Sequence, residues 1–385
     1  MTNQTKILIG ILVVLVILVG GLFVYNKLLI PEKPIVPERP TPEKPAIPSE
    51  RVSPKLSVSI PSRLEMTAYK SFSFNFSIGN ERGYPEAKDV NITLTLGETS
   101  ILVTPNNVNI ASGESQNFKA EFNKIPPGDF NLYLKIEGKP DISISKSIPL
   151  NSQIVIGLDQ YHARPSTWRI NQRDCPECRT FWSIQTGKFM EDLSKENIKV
   201  IIIESPLDDK VMEKINVLVI GGYLNKVVTP TEIKELKNFL NQQGGLFLVG
   251  SGSGSVLTER LLFNDLIESL YLLVKINEDD CNIGGRYTKE IIKHDITAEA
   301  AVLGGILYFG CSLKTEIPLI PLVTYENRTF YAIQYYAKGK IGVMGSFEML
   351  TDARLDKCPF CRKIILNLIK WLATPPTPEE IETLG

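Results

Sequence analysis

The stretch VLVIGGYLNKVVTPTEIKELKNFLNQQGGLFLVGSGSG, residues 217–254, carries the architecture of the larger part of the chain. It opens on Val217-Leu-Val-Ile220, an apolar run without alternation, as a strand buried on both faces requires. Thr229-Pro230 is a helix-start signal, because proline is pre-set for the first helical position and has no N–H to leave unbonded. An amphipathic helix follows over Thr231 to Gln242. Gly244-Gly245 ends it and leads directly into a second apolar strand, Leu246 to Val249.

The same alternation extends in both directions. Strands are expected at Gln153–Leu158, Lys199–Ile203 and Lys340–Met344. Helices are expected around Phe181–Asn197, Leu257–Tyr271 and Arg362–Leu372. Apolar strand runs alternating with helices imply a parallel sheet covered on both faces, so residues 151–373 read as one α/β domain followed by a tail at 374–385.

Residues 55–150 have a different period. Lys55–Ile60, Ser71–Phe76, Val90–Leu96 and Phe130–Ile136 alternate polar and apolar residues, which puts one face of each inward. Gly79-Asn80, Gly113 and Pro126-Pro127-Gly128 punctuate them as turns. Short strands at this spacing imply an antiparallel all-β sandwich. Before it, Pro31 to Pro54 repeats PEKP, PERP and PEKP, an extended polyproline linker or a ligand for a proline-recognising domain.

Residues 1–30 carry an uncharged apolar run from Ile7 to Val24 that continues around Lys27 to Ile30. That length matches the roughly 20 residues a spanning helix needs, and no small-x-small cleavage site follows it. A transmembrane anchor is expected, inserted in the lipid bilayer as a single pass with the bulk of the chain outside the cytoplasm. Sequons at Asn3, Asn75, Asn91 and Asn327 lean the same way. The net charge of −1, with both signs spread evenly and two histidines in all, gives no basic stripe for nucleic acid and little material for a histidine-rich metal site.

Residues 217–254, together with IVIGLDQYH (154–162), GKIGVMGSFEMLTD (339–352) and ILNLIKWLA (365–373), resemble the class I glutamine amidotransferase-like domain, in the branch that includes GldG-type proteins and an oligosaccharyltransferase subunit. The resemblance implies a flavodoxin-like sheet over residues 151–373. The β-rich residues 55–150 resemble immunoglobulin-like surface domains. Amidotransferase chemistry needs a cysteine on a strand-to-helix elbow, and after Val249 the chain has Gly250, Ser251, Gly252, Ser253 and Gly254 instead. That loop is open to two readings, a turn of small residues or a cradle of N–H groups for an anion.

Asp159 and His162 follow the first strand of the α/β region, at the edge where open sheets bind ligands. With Glu348 and Asp352 they are candidates for a metal or acid/base cluster, against the alternative that they hydrogen-bond loop backbone. Two matched motifs, Cys175-Pro-Glu-Cys178 and Cys358-Pro-Phe-Cys361, each precede a helix. Four thiolates at this spacing suit a structural zinc ion; disulfides linking the motifs and a redox dithiol are the alternatives. Cys281 and Cys311 flank a β-rich stretch and are expected to bridge each other. The functional expectation is a membrane-anchored binding or scaffold protein with a protein or glycan partner, against an exported hydrolase using Asp159 and His162.

Overall fold

The computed structural model describes residues 52–382 except 165–166, 169–185, 223, 251–256, 278–282, 299–305 and 316–318. Nine strands come first: β1 Leu56–Ser59, β2 Leu64–Thr67, β3 Phe72–Asn80, β4 Ala87–Leu96, β5 Thr99–Thr104, β6 Val108–Ile110, β7 Ser115–Phe122, β8 Gly128–Lys139 and β9 Ile142–Asp159. The alternation of β3 and β4 turns Phe74, Phe76, Ile78, Val90, Ile92 and Leu94 into one apolar core, shared with Leu132, Leu134 and Ile136 of β8. β5 changes partners part-way. Thr99 to Ile101 pair with β4, and Leu102 to Thr104 pair with β7. The two layers are therefore joined through one strand and form a curled sheet.

β9 is an 18-residue strand with two environments. Its first part pairs antiparallel with β8 as far as Ser152 opposite Gly128. Its last part, Ile154 to Asp159, is buried throughout and pairs in parallel with β10, Ile198–Ile203. Between these two strands lies helix α1, Gly187–Lys195. The four-residue helix α2, Asp209–Met212, leads to β11, Val217–Gly221. β11 pairs in parallel with β9 on one side and with β12, Gly245–Val249, on the other. Helix α3, Pro230–Asn241, connects β11 to β12, and α4, Leu257–Ser269, follows β12. Side chains of β11 divide between the faces: Val217 and Val219 pack with Phe189 and Leu193 of α1, while Leu218 and Ile220 pack with Leu236 and Leu240 of α3.

Beyond α4 lie β13 Val274–Ile276, β14 Ile283–Thr288, β15 Ile306–Gly310, β16 Leu313–Thr315, β17 Ile320–Tyr325, β18 Arg328–Tyr336 and β19 Gly339–Met344. β19 runs parallel to β12 but antiparallel to β18, and β18 is antiparallel to β17 and β16. Helices α5 Asp352–Leu355, α6 Pro359–Ala373 and α7 Pro378–Glu382 follow.

Three expectations are corrected by this arrangement. A flavodoxin-like parallel domain is not what the chain builds: its parallel strands are the middle of a mixed sheet that continues antiparallel through β18, β17, β16 and β13. The physical reason is the β-rich segment 274–336, which returns by hairpins instead of crossover helices. A free-standing immunoglobulin-like sandwich is corrected as well, because β9 carries hydrogen-bonded pairing from one region into the next. Among the described residues strand exceeds helix, 44% against 23%, so an alternating α/β description does not fit. Finally, among the described residues no helix is long and apolar enough to cross a membrane. The longest of them, α6, has 15 residues, which at 1.5 Å per residue spans about 22 Å, short of the roughly 30 Å of hydrocarbon. The transmembrane, single-pass and extracytoplasmic expectation thus finds no support among the described residues; the run 1–30 on which it rested lies outside them, as does most of 31–54.

Candidate functional site

The chain leaves β9 at Asp159 and folds back at once. The Asp159 Oδ1 atom accepts the His162 backbone N–H at 3.2 Å, and its Oδ2 atom lies 2.8 Å from His162 Nδ1. Trp168 donates its indole N–H to the Asp159 carbonyl at 3.0 Å and stacks edge-on against Phe347. Tyr161 meets the His162 ring edge-on, and Lys226 lies 3.7 Å over the Tyr161 ring. Asp159 and His162 are both 0% exposed, so their partners must come from within the fold.

The second partner of His162 comes from α3. Its Nε2 atom lies 3.2 Å from Glu232 Oε1. Glu232 is placed by a reciprocal cap at the start of α3, its Oε2 accepting from the Thr229 N–H at 2.9 Å and the Thr229 hydroxyl at 2.7 Å. Its Oε1 also accepts the Leu207 N–H at 3.0 Å. One imidazole thus bridges two buried carboxylates, joining the end of β9 to the start of α3. Burial alone would lower the His162 pKa; the hydrogen bond and charge of Asp159, with Glu232 behind them, outweigh it and leave it raised. For Glu232 burial pushes upward, but the hydrogen bonds from Thr229 and Leu207 and the charge of His162 hold it below the usual range.

The backbone at the end of β11 tolerates no side chain. Gly221 ends β11 with φ +154°, and a Cβ there would sit 2.0 Å from the Val249 carbonyl oxygen. Gly222, with φ +78°, faces the Thr167 methyl at 2.6 Å.

The other candidates go elsewhere. Asp352 Oδ1 accepts the Lys188 N–H at 2.8 Å, satisfying an open donor at the start of α1. Glu348 lies 3.7 Å from Arg354. Neither joins Asp159 and His162, and among the described residues no group of three or more His, Cys, Asp or Glu side chains is arranged to hold a metal. Gly250 donates its N–H to the Met344 carbonyl at 2.7 Å, and a Cβ on it would meet Gly345 O at 2.7 Å. Close strand packing accounts for that glycine. Ser251, Gly252, Ser253 and Gly254 lie outside the described residues.

Cys358 and Cys361 are bonded to each other at the start of α6, and the Cys361 N–H points at Cys358 Sγ at 3.2 Å. The second motif is thus bonded within itself, while the four-cysteine zinc site and the pairing between motifs both need Cys175 and Cys178 as well. Cys175 and Cys178 lie outside the described residues. Cys311 is buried and disulfide-bonded, while Cys281 lies outside the described residues.

Sequence reasoning missed Glu232. Its signal was present as Thr229-x-x-Glu232, a capping box, but nothing local indicates that the glutamate's other oxygen, which accepts from Leu207, also faces a histidine just past the end of β9.

No protein-family model and no curated protein matches the chain. Among solved structures it is similar to the Salmonella typhimurium cytoplasmic protein STM3548, at 14% identity over 65% of this chain and 97% of that one, with a TM-score of 0.39. Cytoplasmic protein STM1381 from Salmonella typhimurium LT2 is similar at 15% identity, over 57% and 99%, with a TM-score of 0.42. The CARDB domain of the PF1109 protein from Pyrococcus furiosus, in complex with di-metal ions, matches at 11% identity over 26% and 89%, with a TM-score of 0.22. Similarities at these scores say nothing about function. The amidotransferase resemblance is withdrawn: no family match supports it, and the mixed, curled sheet departs from the fold it implied.

Proposed function

We propose that this chain is a binding or scaffold protein whose region after residue 150 engages a protein or glycan partner. The observation that carries this reading is the sealing of its acid/base groups. A catalytic imidazole needs at least one nitrogen within reach of substrate, and both nitrogens of His162 face carboxylates of the chain itself, with no exposed surface. The attachment of this region to the β-rich part, through the continuous strand β9 and the side chain of Asn216, suits presentation of a surface. Comparing the full chain with its His162→Gln variant at equal folded fraction tests the proposal. Across ester, amide and phosphoester substrates no turnover should depend on His162, and any partner captured by the parent should be captured equally by the variant. A His162-dependent turnover would reject the binding reading in favour of a hydrolase.

A further inference from the structure

At the start of β19, away from the His162 cluster, Lys340 is buried, its side chain 3% exposed. A buried ammonium needs an anion close by. The only carboxylate against it among the described contacts belongs to the segment after α6: Glu380 Oε1 lies 3.5 Å from Lys340 Nζ. The same oxygen accepts the Tyr335 hydroxyl at 2.7 Å, and Lys340 Nζ lies 4.7 Å from the Trp371 ring and 5.8 Å from the Tyr335 ring. Tyr335 and Trp371 stack edge-on at 5.4 Å. A cation of β19 and a phenol of β18 therefore converge on one carboxylate, and an indole of α6 packs against both of them.

The segment that brings the carboxylate is short and mostly exposed. It leaves α6 through Thr374-Pro375-Pro376, and Thr377, Pro378, Glu379 and Glu382 are exposed. Its short helix is closed on itself, with the Thr377 N–H on Glu380 Oε2 at 2.7 Å and the Glu380 N–H on the Thr377 hydroxyl at 3.2 Å. Pro376 is buried and the Glu380 carboxylate is partly buried, its side chain 30% exposed. A short segment most of whose described side chains are exposed belongs to the low-stability end of a fold. Burial lowers the Lys340 pKa, and Glu380 offsets this in part, so removing the carboxylate leaves a reactive amine.

We infer that Lys340, Tyr335 and Trp371 form a carboxylate receptor, that Glu380 fills it as an internal ligand, and that an acidic peptide segment of a partner takes the site when residues 377–382 lift away. The internal ligand has the composition expected of such a peptide, Pro-Glu-Glu-Ile-Glu. The inference deepens the binding reading and rests on it only for the use of the site, because the readout below follows Lys340 whether or not a partner is known.

The test compares acylation of Lys340 by an amine-directed ester in the full chain and in full-chain Glu380→Gln, each lysine followed by peptide mass spectrometry. Lys340 should react roughly tenfold faster in the variant, the factor expected when one charge-assisted contact is lost, while exposed lysines such as Lys195 stay unchanged. A synthetic peptide of residues 374–382 should restore protection, and the same peptide with glutamine at 380 should not. If all lysines accelerate together because the variant unfolds, Tyr335→Phe, which removes only the hydroxyl, carries the same comparison. An unchanged Lys340 rate, or a rise that the acidic peptide does not reverse, overturns the receptor and leaves Glu380 as a fixed structural clamp.

Discussion

His162 is the residue on which the most depends, because it neutralises two carboxylates that water does not reach. Replacing it with alanine leaves Asp159 and Glu232 facing a void, and breaking a buried pair in this way costs about 3–5 kcal/mol, readable by urea denaturation. The pH dependence has a definite sign. The folded state raises the His162 pKa above 6.5, so its contribution is fully present below 6.5 and is lost as pH rises through the folded value. Glu232 works the other way: held below 4.5, it contributes above that value and fails as pH falls through its depressed one. The stability gap between the parent and His162→Gln should therefore be larger at about pH 6 than at about pH 9. Gly221→Ala is expected to be more disruptive than its size suggests, since the added carbon meets the Val249 carbonyl oxygen at 2.0 Å; a loss above about 3 kcal/mol, or insoluble expression, is the outcome foreseen. At this scale the sequence placed Asp159 and His162 at a strand end, but not their third partner. Asp352 and Glu348 were grouped with them only by lying after a late strand, and each is taken up by a nearer need, a helix cap and an arginine.

Among the elements, β9 matters most, and Asn216 shows how its two halves are held. The Asn216 Oδ1 atom accepts the Val155 N–H at 2.8 Å, and its Nδ2 donates to the Ala68 carbonyl at 2.6 Å, with the side chain buried. Lys70 adds a contact to the Met212 carbonyl at 3.5 Å and lies over Phe239. Asn216→Ala orphans a buried donor and a buried acceptor, so a loss of about 2–4 kcal/mol is expected in denaturation. Apolar runs such as 217–220 and 246–249 reveal where strands lie, because a strand buried on both faces has no polar side. Pairing was not legible. Nothing in Ile142–Asp159 distinguishes one long strand shared by two regions from two short ones, and the direction of β18 against β19 is set by the tight Ala337-Lys338 turn between them.

For the molecule as a whole, residues from Val52 onward form one compact unit. Trp168 and Trp371 report on the part after residue 150, and amide exchange in β3 and β7 reports on the part before it. Both probes should give the same denaturation midpoint; two separated transitions would mean that β9 and Asn216 do not couple the parts. This unity escaped sequence reading because composition changes near residue 150, and a change of period resembles a domain boundary even where the backbone runs straight through.

The central claim is that His162 is a sealed brace and not a catalytic base, and the chain has only one other histidine, His294. Burial, with Lys340 nearby, lowers the His294 pKa, only partly opposed by Asp295 and Glu380. The most direct test is therefore a pH titration of the full chain carrying ring-labelled histidine, followed by NMR, with His294→Gln assigning the signals. The account predicts one ring titrating below 6.5 and the other, His162, above it, with its ring N–H protons protected from exchange with water. A His162 signal that titrates at or below 6.5 with freely exchanging ring protons would contradict it, and would return the imidazole to the list of groups open to substrate.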